Sequence, residues 1–507
     1  MTRERSWWGW GWAEAAVAGD ELDALGVRVR ALLPLDGTLT PVPSPESLTV
    51  PPARVQPPPS LCTVDDAERV RHTYGKAYRD VVRALRGDFA VAPDVVAHPS
   101  TEEDVVALLA WAAETDVAVV PFGGGTSVVG GVECRDRSRP VCSLDLRGLA
   151  GVIEVDPTNL LALVGGGTEG PALADALRPH GLSLRHYPQS YEFSTVGGWI
   201  ATRAGGHYAT GPTHIDDMVH ALRVVTPAGV AASPRVPASG AGPSPDRLWL
   251  GSEGTLGIVS QAWVRVQHSP TRTTRASVGF ANFDAAVTAT REIVQSGLRP
   301  ANCRLLDPLE SLIGASVVDG SSRLLLSFES ASLDHEPELA AAVAICARHG
   351  GVPGSSDTTR DWTGTFIRAP YLRDALVRLG VVVETFETAC TWTVHDDLRA
   401  AVTDAVAALG GVVSCRFTHV YPDGPAPYFT VYAPARRGGE VEQWDELKAA
   451  VSELLVRHGA TITHHHAVGR DHRPWYVRER PEPFALALRA AKTALDPAGI
   501  LNPGVLV

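Results

Sequence analysis

The sequence predicts an α+β protein with more than one domain, and three observations support this. Its 507 residues are enough for about three domains of ordinary size. Hydrophobic residues make up 45% of the chain and charged residues 20%, a composition typical of folded enzymes and too apolar for a disordered chain. Short Val, Leu and Ile runs that predict strands alternate with amphipathic patterns that predict helices.

The first segment, residues 1–90, is predicted to be an N-terminal arm followed by a helical region. Four tryptophans within residues 7–12 are expected to pack the arm onto the body of the protein, and a lipid interface is the alternative. The many prolines of residues 40–60 exclude helix and central strand, so this part is predicted to be extended. A helical pattern then covers residues 65–86.

The second segment, residues 91–270, is predicted to be a glycine-rich, strand-dense domain. Ser100 and Glu103 form a capping-box pattern that predicts a helix start. A predicted strand at residues 117–122 runs into a glycine loop. Residues 233–245 can only form a loop, because they are rich in proline, serine and glycine.

The remaining chain is predicted to form a separate α+β domain and a C-terminal part. In residues 271–415, helical patterns at 283–297, 336–349 and 398–409 alternate with strand-like runs. Residues 416–507 contain a predicted strand at 428–432, a helix at 441–458, three consecutive histidines and a closing DPAGILNPG.

Charge and cysteine content limit the partners and the compartment. The 57 acidic residues outnumber the 45 basic ones and give a net charge of −12, which argues against nucleic acid as a partner. Only three of the basic residues are lysine, a bias typical of a GC-rich bacterial genome. The seven cysteines are scattered without metal-ligand spacing, and no stretch is apolar enough for export or membrane spanning. A cytoplasmic location is therefore expected.

Three glycine-rich loops suggest a long ligand that carries phosphate. The sequence PFGGGTS follows a strand, SYEFSTVGGWIATRAGG offers hydroxyls and open backbone, and GSEGTLGIV is the third. Backbone without side chains can turn its N–H groups toward a phosphate. The loops match neither the Rossmann fingerprint nor the P-loop.

These motifs, in this order and with DPAGILNPG, resemble the flavoenzymes of the vanillyl-alcohol-oxidase type. Within that group, four segments are similar to motifs of the alkyldihydroxyacetonephosphate synthase family: EFSTVGGW, ETFETACTW, CRFTHVYPDGPAPYF and ITHHHAVG. The resemblance covers nearly the whole chain. It implies a vanillyl-alcohol-oxidase-type (PCMH) FAD-binding domain plus an α+β cap domain with an antiparallel sheet.

The resemblance also implies an unusual flavin reaction. The synthases exchange the acyl group of acyl-dihydroxyacetone phosphate for a fatty alcohol and form an ether without net redox change, with oxidised FAD acting through N5 as a covalent partner. The expected FAD is non-covalent, and no metal is expected. The expected cofactor-binding residues are Pro121, Phe122, Gly123, Gly124, Gly125, Thr126, Ser127, Gln189, Ser190, Ser194, Thr195, Gly197, Gly198, Thr202, Arg203, Ala204, Gly205, Glu253, Gly254, Thr255, Leu256, Gly257, Ile258 and Val259.

Tyr428 matches the catalytic tyrosine of the family, and the resemblance implies that it accepts a proton. A phenol has a pKa near ~10, so its anion needs cationic or hydrogen-bonding neighbours. His464, His465 and His466 match the triplet of the family and are the expected neighbours. If the triplet lies on a strand, the first and third histidines share a face and the second points away.

The resemblance implies that Arg373 and Arg304 bind substrate, because a guanidinium suits a carboxylate or phosphate. Arg368 lies close enough in sequence to leave the choice of anion clamp open. Gln189 stands where these synthases carry Asp, which bears on one ionic or hydrogen-bonding contact near the flavin, and Ala467 replaces the usual glycine. Flavin binding is expected to survive these departures, whereas the identity of the substrate stays open.

Three rival functions stay open at this point. An FAD-dependent 2-hydroxyacid dehydrogenase of the lactate or glycolate type shares the glycine loops but carries Ser-Ala-Glu-His-Gly at the triplet. A flavoenzyme acting on a specialised metabolite and a non-catalytic flavoprotein are the others. The resemblance further implies a lipid-like substrate with a phosphate head group, a homodimer and peripheral association with membranes.

Overall fold

The computed structural model describes residues 3–58, 60–354 and 357–507, so Pro59 of the predicted extended arm lies outside the described residues. The chain divides into two compact units. Unit 1 comprises Met1–Pro41, Gly206–Thr213 and Ser269–His464, and unit 2 comprises Val42–Gly205, His214–His268 and His465–Val507. The division into four segments stays a prediction.

The α-helices, in chain order, are α1 (Gly19–Arg30), α2 (Asp66–Arg71), α3 (Tyr78–Leu85), α4 (Glu102–Glu114), α5 (Gly170–Leu177), α6 (Val196–Thr202), α7 (Ile215–Met218), α8 (Asp246–Trp249), α9 (Phe283–Gln295), α10 (Pro308–Ala315), α11 (Glu336–Arg348), α12 (Asp357–Arg378), α13 (Trp392–Ala408), α14 (Glu440–Arg457), α15 (Arg473–Glu479) and α16 (Glu482–Leu495).

The strands are β1 (Cys62–Thr63), β2 (Val95–Ala97), β3 (Ala118–Phe122), β4 (Val141–Asp145), β5 (Val152–Asp156), β6 (Leu161–Gly165), β7 (Leu182–Ser183), β8 (Val219–Thr226), β9 (Gly229–Ala232), β10 (Ile258–Arg265), β11 (Gln267–His268), β12 (Arg272–Phe280), β13 (Asn302–Leu306), β14 (Ser322–Ser330), β15 (Val352–Gly354), β16 (Val381–Glu387), β17 (Val412–Val420) and β18 (Pro425–Pro434).

Unit 2 contains two main sheets. In the first, β2, β4 and β3 run parallel, and β1 pairs antiparallel with β2. The second has the antiparallel order β5-β6-β10-β8-β9. Val95, Val119 and Leu144 of the parallel strands share a buried cluster with Leu108 and Leu109 of α4. The glycine loop after β3 therefore begins at the carboxyl end of a parallel strand, where ligands of α/β sheets bind.

The closing DPAGILNPG adds one more segment beside β3. The Val119 N–H donates to the Ile500 carbonyl at 2.8 Å, and the Asn502 N–H donates to the Val119 carbonyl at 2.8 Å. The Asp496 carboxylate accepts the N–H groups of Ile500 and Leu501 at 3.1 and 2.8 Å. This motif therefore holds the strand from which the first glycine loop leaves.

Unit 1 is built on a seven-stranded antiparallel sheet with the order β15-β12-β14-β13-β17-β18-β16. Strands β17 and β18 form a hairpin, and its turn is closed by the Tyr421 N–H, which donates to the Gly424 carbonyl at 2.8 Å. Among the described residues, no helix is long and apolar enough to cross a bilayer.

The predicted continuous helix at residues 65–86 is wrong. The chain forms two helices, α2 and α3, with a break between them. In the break, the Lys76 N–H donates to the Ser127 carbonyl at 2.6 Å. A Cβ added to Gly75 would lie 2.2 Å from that carbonyl oxygen, so the glycine lets the two backbones meet. A long-range contact has overridden local helix propensity here.

The predicted capping box is shifted by one residue. The Asp104 N–H donates to Thr101 Oγ1 at 3.1 Å and the Thr101 N–H donates to Asp104 Oδ2 at 3.0 Å, so these residues cap α4 in place of Ser100 and Glu103. The predicted helices near residues 283, 336 and 441 are confirmed by α9, α11 and α14. The helix predicted at 398–409 begins earlier, at Trp392.

Candidate active site

The glycine loop after β3 lies directly against residues 193–195 of unit 2. A Cβ added to Gly123 would lie 2.5 Å from Thr195 Oγ1, and one added to Gly124 would lie 1.7 Å from the Phe193 carbonyl oxygen. Gly125 has a φ of +67°, in the left-handed region that glycine adopts without strain. The first two predicted glycine loops are therefore brought together, and side-chain-free backbone makes this approach.

The third loop, residues 251–259, joins them. Gly254 has a φ of +69°, and a Cβ there would lie 2.5 Å from Pro121 Cγ at the end of β3. The Glu253 N–H donates to the Ala201 carbonyl in α6 at 2.8 Å. All three glycine loops thus meet near the carboxyl end of β3, in the arrangement expected of a phosphate cradle.

Two buried polar side chains near these loops fit a polar cofactor. His186 is 1% exposed, its ring lies 5.1 Å from that of Trp199, and neither ring nitrogen has a hydrogen-bond partner among the described residues. Burial lowers the pKa of His186 to about 3, so the imidazole is neutral. The hydroxyl of Thr255, in the third loop, is also buried without a partner in the described part of the chain. Since buried polar groups are nearly always paired, this region suits the ring and phosphate atoms of FAD.

The predicted hydroxyl contacts have structural partners of their own. Ser194 Oγ accepts the indole N–H of Trp199 at 2.6 Å, and Thr195 Oγ1 accepts the N–H of Gly198 at 3.3 Å. These bonds hold the start of α6 and shape the second loop. The expected contacts of Ser194, Thr195 and Gln189 with FAD stay predictions.

Glu253 links the third loop to the segment that follows the histidine triplet. Its carboxylate accepts the N–H groups of Val468 and Gly469 at 2.9 and 2.8 Å. Burial raises the pKa of Glu253 to about 7, although the two N–H donors oppose this. A group that titrates near neutral pH therefore fixes the chain just after His466.

In unit 1, the register of the sheet aligns the predicted catalytic tyrosine with two charged side chains. Tyr428 on β18 lies opposite Arg416 on β17 and opposite Glu387 on β16. Arg416 in turn lies opposite Leu306 on β13, two residues after Arg304. Because alternate residues of a strand share a face, Arg304, Arg416 and Tyr428 lie on one face of neighbouring strands.

Arg416 is the cation that faces Tyr428. Its guanidinium carbon lies 3.9 Å from the centre of the tyrosine ring, and its Nη1 donates to Glu310 Oε1 at 2.6 Å. Burial raises the pKa of Tyr428, whereas the charge of Arg416 and a hydrogen bond from Thr385 lower it. The arginine therefore offsets part of the cost of a buried phenolate.

Arg304, a predicted substrate-binding residue, belongs to the same cluster. It is 2% exposed, and its Nη2 donates to the His207 carbonyl at 3.2 Å. The ring of Phe366 lies 5.6 Å from its guanidinium carbon and 5.8 Å from that of Arg416. Burial lowers the pKa of Arg304 to about 9, with Arg416 adding to the effect, so it is still a cation at neutral pH.

The prediction that the histidine triplet lies on a strand is wrong. Residues 464–466 form a bend. His465 and His466 lie edge to face, with ring centres 4.6 Å apart. The expected sharing of a face by the first and third histidines therefore does not apply.

His464 has its own set of partners in unit 1. Its Nε2 lies 2.8 Å from Tyr421 Oη, which lies 3.0 Å from Thr213 Oγ1. The Glu387 carboxylate accepts the N–H of His464 and, at 2.6 Å, the Thr463 hydroxyl. Glu387 thus holds this end of the triplet beside the strand that carries Tyr428.

The two candidate anion clamps differ in surroundings. Arg368 is exposed and pairs with Glu21 at 2.9 Å. Arg373 lies on α12 with its side chain 13% exposed, and it donates through Nε and Nη2 to Asp374 Oδ1 at 2.9 and 2.6 Å. Phe366 precedes it by seven residues, so both lie on one helix face, about 10 Å apart along the axis. Arg373 is the less exposed of the two, and the choice between them stays a prediction.

Sequence reasoning missed Arg416, Tyr421 and Glu310. Counting back along the hairpin from its turn would pair Phe417 with Tyr428, but a bulge between Phe417 and His419 shifts the register by one residue and places Arg416 opposite the tyrosine. Glu310 lies on α10, remote in sequence from its partner, and no local pattern indicates it.

Comparisons with known proteins agree with this geometry. Residues 93–232 match the family model for an FAD binding domain, and residues 269–506 match that for FAD linked oxidases, C-terminal domain. The chain is 30% identical over 482 residues to the alkyldihydroxyacetonephosphate synthase of Caenorhabditis elegans. The alignment covers 87% of this chain and 80% of that protein. The corresponding Dictyostelium discoideum enzyme is 29% identical over 475 residues, or 87% of this chain and 78% of its own.

The fold agrees as well. A solved alkyldihydroxyacetonephosphate synthase superposes with a TM-score of 0.83 at 25% identity, over 98% of each chain. The predicted α+β fold of the vanillyl-alcohol-oxidase type and the FAD cofactor are confirmed. The chain is a flavoenzyme and belongs to the alkyldihydroxyacetonephosphate synthase family.

Proposed function

We propose that this enzyme exchanges the acyl group of an acyl-dihydroxyacetone phosphate for a fatty alcohol and so forms an ether-lipid precursor without net redox change. The observation that carries the chemistry is the buried pair of Tyr428 and Arg416, in which the guanidinium carbon lies 3.9 Å from the centre of the tyrosine ring. Arg416 opposes the rise in the pKa of Tyr428 that burial causes, and so favours the phenolate, the form of this side chain that can accept a proton.

The cofactor binds through the glycine loops of unit 2 in this proposal. The backbone of residues 123–125 and 254 receives the pyrophosphate, and His186 and Thr255 offer polar atoms that need partners. Bound FAD supplies, through N5, the centre at which one substituent replaces the other. The chain's own residues supply the proton acceptor, the anion clamp and the exclusion of water.

The exchange releases one proton overall. The alcohol loses its hydroxyl proton, the bond between the acyl oxygen and the glycerone carbon breaks, and the acyl group leaves as a carboxylate. The phenolate of Tyr428, which Arg416 stabilises, accepts the proton of the alcohol at Oη and becomes a neutral phenol. Glu310 accepts a hydrogen bond from Arg416 at 2.6 Å and compensates its charge, so Arg416 stays paired before and after the transfer.

Arg373 and Arg304 are the proposed anion clamp. Both side chains are largely enclosed, so water screens their charge little, although Asp374 compensates part of the charge of Arg373. His464 stays at one end of the cluster through Tyr421 and Glu387. These site roles rest on the contacts of unit 1 together with the family resemblance.

The test supplies acyl-dihydroxyacetone phosphate and a labelled fatty alcohol without oxygen or a redox partner. We expect release of fatty acid in equal amount to the labelled ether, with transient loss of flavin absorbance. Reduction of the flavin by lactate or glycolate, with no ether formed, would instead assign the chain to 2-hydroxyacid oxidation.

The expected homodimer, the peripheral membrane association and the cytoplasmic location belong to the same proposal and rest on the family resemblance. Light scattering of the purified protein tests the first. Co-sedimentation with vesicles of neutral and of anionic lipid tests the second, and the net charge of −12 predicts no gain from anionic lipid. Cell fractionation tests the third.

A further inference from the structure

The N-terminal arm is folded into a closed loop. The Ser6 N–H donates to the Gly11 carbonyl at 2.8 Å, and the Gly9 N–H donates to Ser6 Oγ at 2.9 Å. Arg5 and Trp12 form an antiparallel bridge at its base. The arm is thus a defined element of unit 1 with a fixed shape.

The tip of this arm contacts the helix that carries the proposed anion clamp. The Trp10 N–H donates to Asp374 Oδ2 at 2.5 Å, and the Trp12 N–H donates to Tyr371 Oη at 3.1 Å. Trp10 is buried, and Asp374 is only 5% exposed. The predicted packing of the tryptophan arm onto the body therefore takes place at α12.

Asp374 binds the arm with one oxygen and the clamp with the other. Its Oδ2 accepts the Trp10 N–H, and its Oδ1 accepts Nε and Nη2 of Arg373. Neighbouring residues on a helix point about 100° apart and do not normally face each other. The Arg373 side chain bends toward Asp374, so the position of that carboxylate helps to determine where the guanidinium lies.

Gly9 makes this contact possible. A Cβ at that position would lie 2.6 Å from Asp374 Oδ2, closer than a carbon and an oxygen can approach. The carboxylate is held between the arm and Arg373, so it cannot move without changing at least one of these bonds. The glycine is therefore needed for the geometry of the charged pair, beyond any need of the turn itself.

We propose that the N-terminal arm is a positioning element for Arg373, acting through Asp374. Residues from two distant parts of the sequence of unit 1 thereby orient one guanidinium toward an anionic head group. This inference rests on the proposed function of Arg373 as the phosphate clamp. Asp374 and Gly9 are positioning residues, because neither is assigned a contact with the substrate.

The experiment compares Gly9→Ala and Asp374→Asn with Gly364→Ala, which adds a Cβ to the same helix in open space. The probe is sn-glycerol 3-phosphate, measured as a competitive inhibitor and by direct calorimetric binding to the FAD-loaded enzyme. We expect both arm variants to weaken binding about tenfold, or about 1.4 kcal/mol, and to raise KM for the phosphate substrate more than they lower kcat. FAD content and the Tm should stay at the wild-type values, as in Gly364→Ala.

Three outcomes have distinct meanings. Wild-type phosphate binding in both arm variants, with loss in Arg373→Ala, would overturn the role of the arm and leave the clamp intact. Unchanged binding in Arg373→Ala would overturn the clamp, and with it this inference. If both arm variants lost phosphate affinity, FAD content and thermal stability together, the arm would be needed only for folding, and the proposal would be overturned. If Asp374→Asn does not fold, the phosphate binding of Gly9→Ala alone tests the role of the arm.

Discussion

The guanidinium of Arg416 lies over the ring of Tyr428, 3.9 Å from its centre, and its Nη1 donates to Glu310 Oε1 at 2.6 Å. The three side chains come from β17, β18 and α10, so the sheet and the helix that packs on it create the arrangement together. Burial raises the pKa of Tyr428, Arg416 lowers it, and Glu310 raises it. The two charged residues therefore act on the tyrosine in opposite directions.

Substitutions of these two residues should shift the pH dependence of kcat in opposite directions. Activity that needs the phenolate rises with pH through the pKa of Tyr428. Arg416→Met removes the stabilising cation and should move this limb to higher pH, whereas Glu310→Gln removes the opposing anion and should move it to lower pH. Arg399→Met, which breaks a similar contact with Phe283 at 4.3 Å, is the matched control and should shift nothing. Shifts of equal sign would contradict the arrangement.

Tyr428→Phe should lose turnover and keep FAD. The change removes only the ionisable oxygen and leaves the ring under Arg416, so folding should be preserved. A proton acceptor typically contributes about 10² to 10⁴ in rate, and kcat for ether formation should fall by this amount. Flavin absorbance per protein checks the cofactor. Wild-type turnover in this variant would remove Tyr428 from the mechanism.

Much of the fold could be predicted from the sequence, because the patterns that indicate these elements lie within short stretches of the chain. The strand that ends in the first glycine loop and the long helices α9, α11 and α14 follow from hydrophobic period and glycine position. The break at Gly75 did not, because its cause is the backbone of Ser127, some fifty residues away. The bend at the histidine triplet also escaped local reasoning, since Glu387 on β16 determines the path of the chain there.

Tyr421 is expected to orient His464. Its hydroxyl lies 2.8 Å from His464 Nε2 and 3.0 Å from Thr213 Oγ1. Tyr421→Phe removes the bond and keeps the ring, and loss of a hydrogen bond to a site residue should lower kcat about tenfold. Tyr432→Phe, which removes the hydroxyl of a half-buried tyrosine on β18, is the control. An unchanged kcat and pH profile in Tyr421→Phe would mean that His464 needs no such partner.

Gly124→Ala should lose FAD. The added Cβ would lie 1.7 Å from the Phe193 carbonyl oxygen, so the first two glycine loops would have to separate. Gly240→Ala, where no atom lies within 4 Å of the added Cβ, is the matched control. Flavin absorbance per protein after gel filtration should fall toward zero in the first variant and stay unchanged in the second. Full FAD content in Gly124→Ala would place the cofactor away from this loop.

Glu253 should make the stability of the protein fall as pH rises toward neutral. Its pKa is about 7 in the folded protein, against an ordinary value of 4.5, so the folded state holds a proton that the unfolded chain has already lost. The contribution of this carboxyl is fully present below pH 4.5 and is lost as pH rises through about 7. The loss is on the order of 3 kcal/mol in the free energy of unfolding.

In Glu253→Gln this titration is absent, so the variant should gain stability relative to the wild type between pH 5 and 8, measured by urea unfolding. Glu102→Gln should instead differ from the wild type by a constant amount between pH 5 and 8, because Arg223 lowers the pKa of Glu102 and the contribution of that carboxyl changes only below its ordinary value of 4.5. A difference between wild type and Glu253→Gln that does not change with pH would mean that this carboxyl stays ionised where it binds the chain after the triplet.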